Sequence, residues 1–329
     1  FNDFTAPFGV PWHNMAKLHF AIQVHGDYPC LYRKVPTMGN PRFGRMIPAM
    51  VTPMKDNLDL DLDRAQELAD RLVKGGADSL IINGTTGESP TVFYPDKIEL
   101  FKAVVAAVDG RIPVIANVGD NCTADTVGFA NDVAKLGVDG FMCVVPYYNK
   151  PPQEGLYQHF STIAGSVELP IILYNIPGRC AVNMTAETSL RLAHDLDNVV
   201  AIKEASGNFD QVKAIVEGAP EGFCVYSGDD SATLDIMKLG GVGVISTIGN
   251  VAPARMKEIV ELCAAGKWEE AAAANERLMP LMEGLFKTAN PILVKEALKL
   301  AGFPVGGVRL PLVDATAEQS AELERTMRE

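Results

Sequence analysis

Nothing in this 329-residue chain approaches the ~18–20 consecutive apolar residues that a membrane-spanning helix requires, so no membrane partner is expected. Basic residues are scarce too: 29 Lys and Arg stand against 41 Asp and Glu, a net charge of −12, with no basic stripe. That balance argues against a nucleic-acid partner, because binding a phosphate backbone rests on clustered cations. Cysteine is sparse and scattered. Cys30, Cys122, Cys143, Cys180, Cys224 and Cys263 include no C-x-x-C pair, and Cys143 and Cys224 fall inside apolar runs. This suits reduced, mostly buried thiols in a cytoplasmic protein, not a disulfide framework or a zinc site. No His/Asp/Glu set has metal-ligand spacing, so a chemistry without metal or other cofactor is expected. What remains, 47% hydrophobic and 21% charged, is the composition of a globular protein with a sizeable core.

Residues 1–42 differ from the rest. They contain Trp12 and three of the five histidines (His13, His19, His25) but no sustained helical or strand period. They read as an irregular N-terminal extension, and Met38, just ahead of the first strand-like run, is the expected natural start.

From Met46 onward short apolar runs alternate with amphipathic stretches. The runs are Met46–Val51, Ser79–Ile82, Val114–Val118, Phe141–Val145, Ile171–Tyr174, Val199–Ile202, Phe223–Tyr226 and Val242–Ser246. Helical patterns such as Asp61–Lys74, Pro95–Val108 and Gln153–Ser166 lie between them, and Gly or Pro marks the strand-to-helix turns at Gly84, Gly119, Pro146, Pro177, Gly207 and Gly228. Eight runs of parallel-type buried strand predict an α/β fold, a (β/α)8 TIM barrel over residues 43–265, with an open doubly wound sheet as the weaker choice. The dinucleotide form of that alternative lacks its G-x-G-x-x-G. Helical patterns without strands then give a C-terminal helical region, 266–329.

In such a barrel the strand C-termini build the site. The sixth run, Val199-Val200-Ala201-Ile202, delivers Lys203 to that end. Burial disfavours an ammonium, so its pKa is expected to fall from about 10.4 towards neutrality, each unit corresponding to roughly 1.4 kcal/mol. A neutral amine there is a nucleophile able to form a Schiff base with a ketone. An isolated lysine would more often end the strand in solvent or pair with Glu204, so its company decides. After the second run, Gly84-Thr85-Thr86-Gly87-Glu88-Ser89 offers converging backbone N–H groups and two hydroxyls, a cradle for a small carboxylate. After the fourth come Tyr147 and Tyr148, which suit packing, an interface or proton relay. After the fifth, Tyr174 would lie one strand from Lys203, and Arg179 carries a fork of donors for a carboxylate. After the seventh and eighth, the carbonyls of Gly228 and Ile245 are candidates to line the pocket, and Asp229 and Asp230 read as caps of the next helix.

Taken together, Gly84-Thr85-Thr86-Gly87-Glu88-Ser89, Pro146-Tyr147-Tyr148-Asn149-Lys150-Pro151, Tyr174-Asn175-Ile176-Pro177-Gly178-Arg179, Ile202-Lys203-Glu204-Ala205 and Ser227-Gly228-Asp229-Asp230 resemble the dihydrodipicolinate synthase family, within the pyruvate-dependent Schiff-base aldolases, from roughly Phe43 to the C-terminus. The resemblance implies condensation of pyruvate with L-aspartate 4-semialdehyde in lysine and diaminopimelate biosynthesis. It implies that Lys203 forms the imine and that Tyr174, Thr85 and Tyr148 relay protons, Tyr148 reaching the neighbouring subunit's site in a dimer, two of which build a homotetramer. It also implies that Thr86 joins Thr85 in holding the pyruvate carboxylate, that Arg179 holds that of the semialdehyde, and that Gly228 and Ile245 position substrate through the backbone. The family's regulatory lysine site is matched incompletely. Ser89, Asn121 and Tyr147 fit it, whereas Tyr94 and Lys97 stand where inhibited relatives carry histidines and Asp125 replaces a longer glutamate. Weak feedback by lysine is expected, since Lys97 would repel an incoming ammonium. The alternatives are a sibling lyase, acting on N-acetylneuraminate or a 2-keto-3-deoxy sugar acid, and a barrel that binds a keto acid without turnover.

Overall fold

The computed structural model describes residues 41–328. The extension expected at 1–42, but for its last two residues, and the expected start at Met38 lie outside them. Eight strands, β1 (Met46–Pro48), β2 (Leu80–Ile82), β3 (Val114–Asn117), β4 (Gly140–Val144), β5 (Ile171–Asn175), β6 (Val199–Glu204), β7 (Cys224–Ser227) and β8 (Gly243–Ser246), form one all-parallel sheet. Each strand pairs with its neighbour in sequence from β2 through β8, and β8 returns to pair with β1. The Ala49–Ile81 bridge joins β1 to β2 and closes the barrel. The first run is a regular strand only to Pro48, because Ala49 makes the last bond to β8, its amide donating to the Ser246 carbonyl at 2.8 Å, and the chain then turns to meet β2, where the Met50 amide donates to the Ile81 carbonyl at 2.9 Å.

Helices α1 (Leu62–Lys74), α2 (Tyr94–Val108), α3 (Thr123–Val133), α4 (Gln153–Ala164), α5 (Pro177–Cys180), α6 (Ala186–Asp195), α7 (Phe209–Gly218), α8 (Thr233–Lys238) and α9 (Pro253–Ala264) fill the connections and follow β8. Their apolar spacing determines which face they bury. In α1 the positions Ala65, Leu68, Ala69 and Leu72 recur at helical spacing and are fully buried, and Asp61 caps the first turn by accepting from the Arg64 amide at 3.0 Å. The short α5 was not visible as a period; four residues are too few to show one. Three further helices, α10 (Trp268–Gly284), α11 (Ile292–Leu300) and α12 (Ala317–Arg328), follow without intervening strands. Among the described residues no helix is long and apolar enough to cross a membrane.

Two layers of core result. Side chains turned outward from the strands meet the helices, while Ile47, Ile81, Ile115, Met142, Ile172, Tyr174, Ala201, Tyr226 and Ile245 fill the barrel interior with Phe43. Because strand side chains alternate, Ala201 inside and Ile202 outside put Lys203 inside.

Candidate active site

Lys203 and Tyr174 become neighbours through a local irregularity. Ile171 pairs with Val199 but Ile172 pairs with Ala201, so Val200 is an extra residue on β6. From there on, Tyr174 lies opposite Lys203. In unbroken register Tyr174 would face Ile202, so the bulge aligns the phenol and the amine. The Lys203 Nζ lies 4.3 Å from the centroid of the Tyr174 ring, and the residue is only 6% exposed. Among the described residues no carboxylate reaches it as an ion pair. Burial lowers its pKa to about 8, and the positive charge of Arg179 adds to that, while Asp230 and Asp229 oppose it. Glu204 turns to the other face, where its carboxylate accepts from the side-chain amides of Asn175 (3.2 Å) and Gln211 (3.1 Å) and from the Ser206 amide (2.8 Å). The lysine therefore neither ends in solvent nor pairs with its neighbour. Gly228 leaves room for its stem: a Cβ there would lie 2.7 Å from the Ala205 Cβ and 3.2 Å from the Lys203 Cγ.

Burial also holds Tyr174 protonated, its pKa pushed up to about 12 in spite of the Thr85 hydroxyl within hydrogen-bonding reach and the charge of Arg179. A phenol in that state can donate a proton and take one back from Thr85. The loop that carries Thr85 folds on itself, with the amides of Gly87 and Ser89 donating to the Gly84 carbonyl at 3.0 and 3.2 Å. The amides of Thr85 and Thr86 find no acceptor among the described residues, which suits a cradle for an anion. Thr86 is buried, and its Oγ1 accepts from the Asn290 Nδ2 at 2.8 Å.

Glu88 fixes the end of this loop in the left-handed region, φ +56°. Its carboxylate accepts from the Lys295 Nζ at 2.8 Å and the Arg309 amide at 3.0 Å, and both members of the Glu88–Lys295 pair are almost wholly buried. Asn290, Lys295 and Arg309 were not singled out from the sequence, because they act on Thr86 and Glu88 from more than 200 residues away. The one local signal was Glu88, an acid closing an otherwise uncharged loop.

Other expected residues are placed differently. Arg179 sits on α5, exposed, and close enough for its charge to lower the pKa of both Lys203 and Tyr174. Ile245 is buried in β8 opposite Ile47. Tyr148 stands on the surface, 89% exposed, with φ +74°. That backbone region costs a bulky residue of order 1–3 kcal/mol. The aspartates do not cap the next helix. Asp230 is buried and accepts from the Thr247 and Ile248 amides at 3.0 and 2.8 Å, capping the turn after β8, while Asp229 closes a local turn with Ser231. Strand order explains the correction, since β7 and β8 are adjacent and their C-terminal turns touch.

A separate cavity of about 90 Å³ gathers Ser89, Tyr94, Lys97 and Asp125. Asn121 adjoins it, donating to the Tyr147 carbonyl at 3.1 Å, and burial with the nearby Asp120 pushes the Tyr147 phenol up to about 12. Lys97 lies over the Phe129 ring at 5.5 Å, its pKa lowered by burial against the pull of Asp120, and the Tyr94 hydroxyl is turned to Asp132 at 2.5 Å. A larger cavity, about 640 Å³, lies elsewhere, beside α11. In its lining Arg64 pairs with Glu67, Lys299 with Glu296 and Lys295 with Glu88.

The dihydrodipicolinate synthetase family matches residues 42–329. The chain is 50% identical over 289 residues to the 4-hydroxy-tetrahydrodipicolinate synthase of Symbiobacterium thermophilum, covering 88% of this chain and 98% of that one. It is similar to the dihydrodipicolinate synthase of Cyanidioschyzon merolae solved with lysine bound (46% identity, TM-score 0.86, 87% and 97% covered). It is likewise similar to the chloride-inhibited enzyme of Acinetobacter baumannii solved with pyruvate (37% identity, TM-score 0.85, 87% and 98% covered).

Proposed function

The chain belongs to the dihydrodipicolinate synthetase family, and from that premise we propose that it condenses pyruvate with L-aspartate 4-semialdehyde to 4-hydroxy-tetrahydrodipicolinate, a lyase step of lysine and diaminopimelate biosynthesis. The observation that carries the reading is a buried lysine without an ion-pair partner among the described residues, lying against a protonated phenol on the adjacent strand.

The neutral Lys203 amine adds to C2 of pyruvate, and the carbinolamine loses water to become a protonated imine. Tyr174 and Thr85 move the protons this requires. The imine withdraws electrons, so the pyruvate methyl loses a proton and the enamine carbon attacks the aldehyde of the second substrate. The amine of that substrate then adds to C2, closing the ring and releasing Lys203. The amides and hydroxyls of Thr85 and Thr86 hold the pyruvate carboxylate, Arg179 at the mouth holds that of the semialdehyde, and Gly228 and Ile245 position substrate through their carbonyls. Arg179 also favours this reaction over the sugar-acid lyases, as a fork of donors suits a second carboxylate.

Tyr148 completes the relay from a neighbouring subunit. Its exposure and left-handed backbone make sense if a partner receives the side chain, and our reading adds that two such dimers build a homotetramer in the cytoplasm. Residues 43–265 form the catalytic barrel and 266–329 its helical appendage.

Borohydride added with pyruvate should fix a covalent adduct on Lys203, and a coupled assay with aspartate semialdehyde should show turnover that Lys203→Ala abolishes. An untrapped lysine or an active Lys203→Ala would overturn the mechanism. Co-expressing Tyr148→Phe with Lys203→Ala tests the shared site: both parents are nearly inactive, and mixed oligomers regain activity in sites that pair an intact lysine with a partner's intact tyrosine. No recovery in mixed oligomers would confine Tyr148 to its own chain.

A further inference from the structure

Thr86 has one hydroxyl hydrogen, and its surroundings decide where that hydrogen points. Its Oγ1 accepts from Nδ2 of Asn290, which lies just before α11 and is buried. A hydroxyl that accepts such a bond keeps its own hydrogen for another acceptor. The other hydroxyl in reach, Thr247 Oγ1, is 3.5 Å away, too long to hold that hydrogen firmly. Turned over, the Asn290 amide would present Oδ1 to Thr86, take the hydrogen, and leave lone pairs facing the cradle.

We propose that Asn290 is a positioning residue for the keto-acid substrate: by donating to Thr86 it keeps the threonine hydrogen free, so that an incoming carboxylate meets a donor. This rests on the reading of Thr85 and Thr86 as the carboxylate cradle. The neighbouring contacts prevent the loop from adjusting its polarity by moving. Glu88 is held by Lys295 and by the Arg309 amide, and the Gly87 carbonyl accepts from the Thr52 hydroxyl at 2.6 Å, so the backbone on which Thr86 rides is tied at two consecutive residues. The helical region beyond the barrel therefore supplies both the stiffness of the cradle and the direction of its hydroxyl. A residue at 290 that accepts instead of donating should weaken binding of the carboxylate while leaving later steps alone.

The test uses the full-length oligomer. Half-saturating pyruvate for borohydride trapping of Lys203, and kcat and KM for both substrates, are measured for Asn290→Asp and Asn290→Ala, each with Thr86 intact and with Thr86→Val. Asn290→Asp should raise half-saturating pyruvate roughly tenfold or more, the worth of a hydrogen bond to a charged group. Asn290→Ala should raise it several-fold, with kcat and the semialdehyde KM within about twofold of the parent. Without the Thr86 hydroxyl both effects should vanish. An Asn290→Asp defect that persists in Thr86→Val is plain charge repulsion and overturns the inference. Thr86→Val that binds pyruvate weakly, together with silent Asn290 variants, also overturns it while leaving the cradle intact; Thr86→Val with unchanged pyruvate saturation sinks the cradle reading itself. If thermal melting shows that Asn290→Asp does not fold, the dependence of Asn290→Ala on the Thr86 hydroxyl decides in the same way.

Discussion

Lys203 and Lys295 are both buried, and only one of them is suited to react. Lys295 is 3% exposed, with Glu88 at 2.8 Å and the Gly307 carbonyl as a second acceptor. Lys203 is 6% exposed and lies on an aromatic face with no carboxylate paired to it among the described residues. Burial lowers the pKa of each, but at Lys295 the carboxylate works against burial and occupies the ammonium, whereas at Lys203 the result is an amine titrating at about 8. Burial alone makes a lysine costly; burial without a partner makes it a nucleophile.

Replacing each lysine by methionine breaks the comparison most sharply. Lys203→Met should abolish turnover and trapping. It should also stabilise the fold at neutral pH, because the displacement of its pKa from about 10.4 to about 8 corresponds to about 3 kcal/mol carried by the charged form. Lys295→Met should do the reverse, destabilising the fold by about 3–5 kcal/mol because Glu88 keeps a buried charge without its cation. Adding Glu88→Gln should recover most of that loss. Thermal and denaturant melts of the three variants decide the matter, and equal destabilisation by the two lysine replacements would erase the distinction.

How far these two lysines could be told apart from the sequence depends on distance along the chain. The barrel was legible because parallel strands buried on both faces read as short apolar runs, and Lys203 because it ends one of them. Thr85, Tyr174 and Arg179 were legible for the same reason: each sits within a few residues of a strand end, where the fold puts chemistry. The extra Val200 was not, since a bulge depends on the partner strand and Val199-Val200 looks like any apolar pair. Lys295 was hidden in the middle of α11, 207 residues from Glu88. Asp230 was misread because the nearest helix was the obvious thing to cap, while its carboxylate in fact crosses to the turn after β8.

The pH response sharpens the same contrast. Below about 8 the Lys203 amine is protonated and cannot attack, so kcat/KM for pyruvate should fall by about tenfold per pH unit on the acid side and level off above it. The stability effect follows the same group. Below pH 8 the folded and unfolded chains both hold this proton and the penalty is complete; between about 8 and 10.4 only the unfolded chain keeps it, so stability rises with pH, and above that range the penalty is gone. Lys203→Met should make this rise shallower, and Lys295 and Lys97, whose pKa values burial also lowers, account for the part that stays. A Lys203→Met melt that climbs as steeply as that of the unmodified protein would assign the titration to another group.

A third lysine gives the smallest effect and the finest test. Lys97 is only half-way to either case: burial lowers its pKa, Asp120 draws it back, and it lies over Phe129 in the cavity that Ser89, Tyr94 and Asp125 share. An ammonium entering that cavity meets a cation already resident, at a cost of about 1–3 kcal/mol, or roughly 5- to 150-fold in affinity. Tyr94 offers it nothing, since its hydroxyl is committed to Asp132. Free lysine at sub-millimolar concentration should therefore leave turnover nearly unchanged, and Tyr94→His with Lys97→His should make the enzyme more sensitive by removing the resident charge. Half-inhibition of the unmodified enzyme below a millimolar would mean that Lys97 leaves the cavity when lysine arrives, because a charge fixed over Phe129 could not admit a second one so tightly.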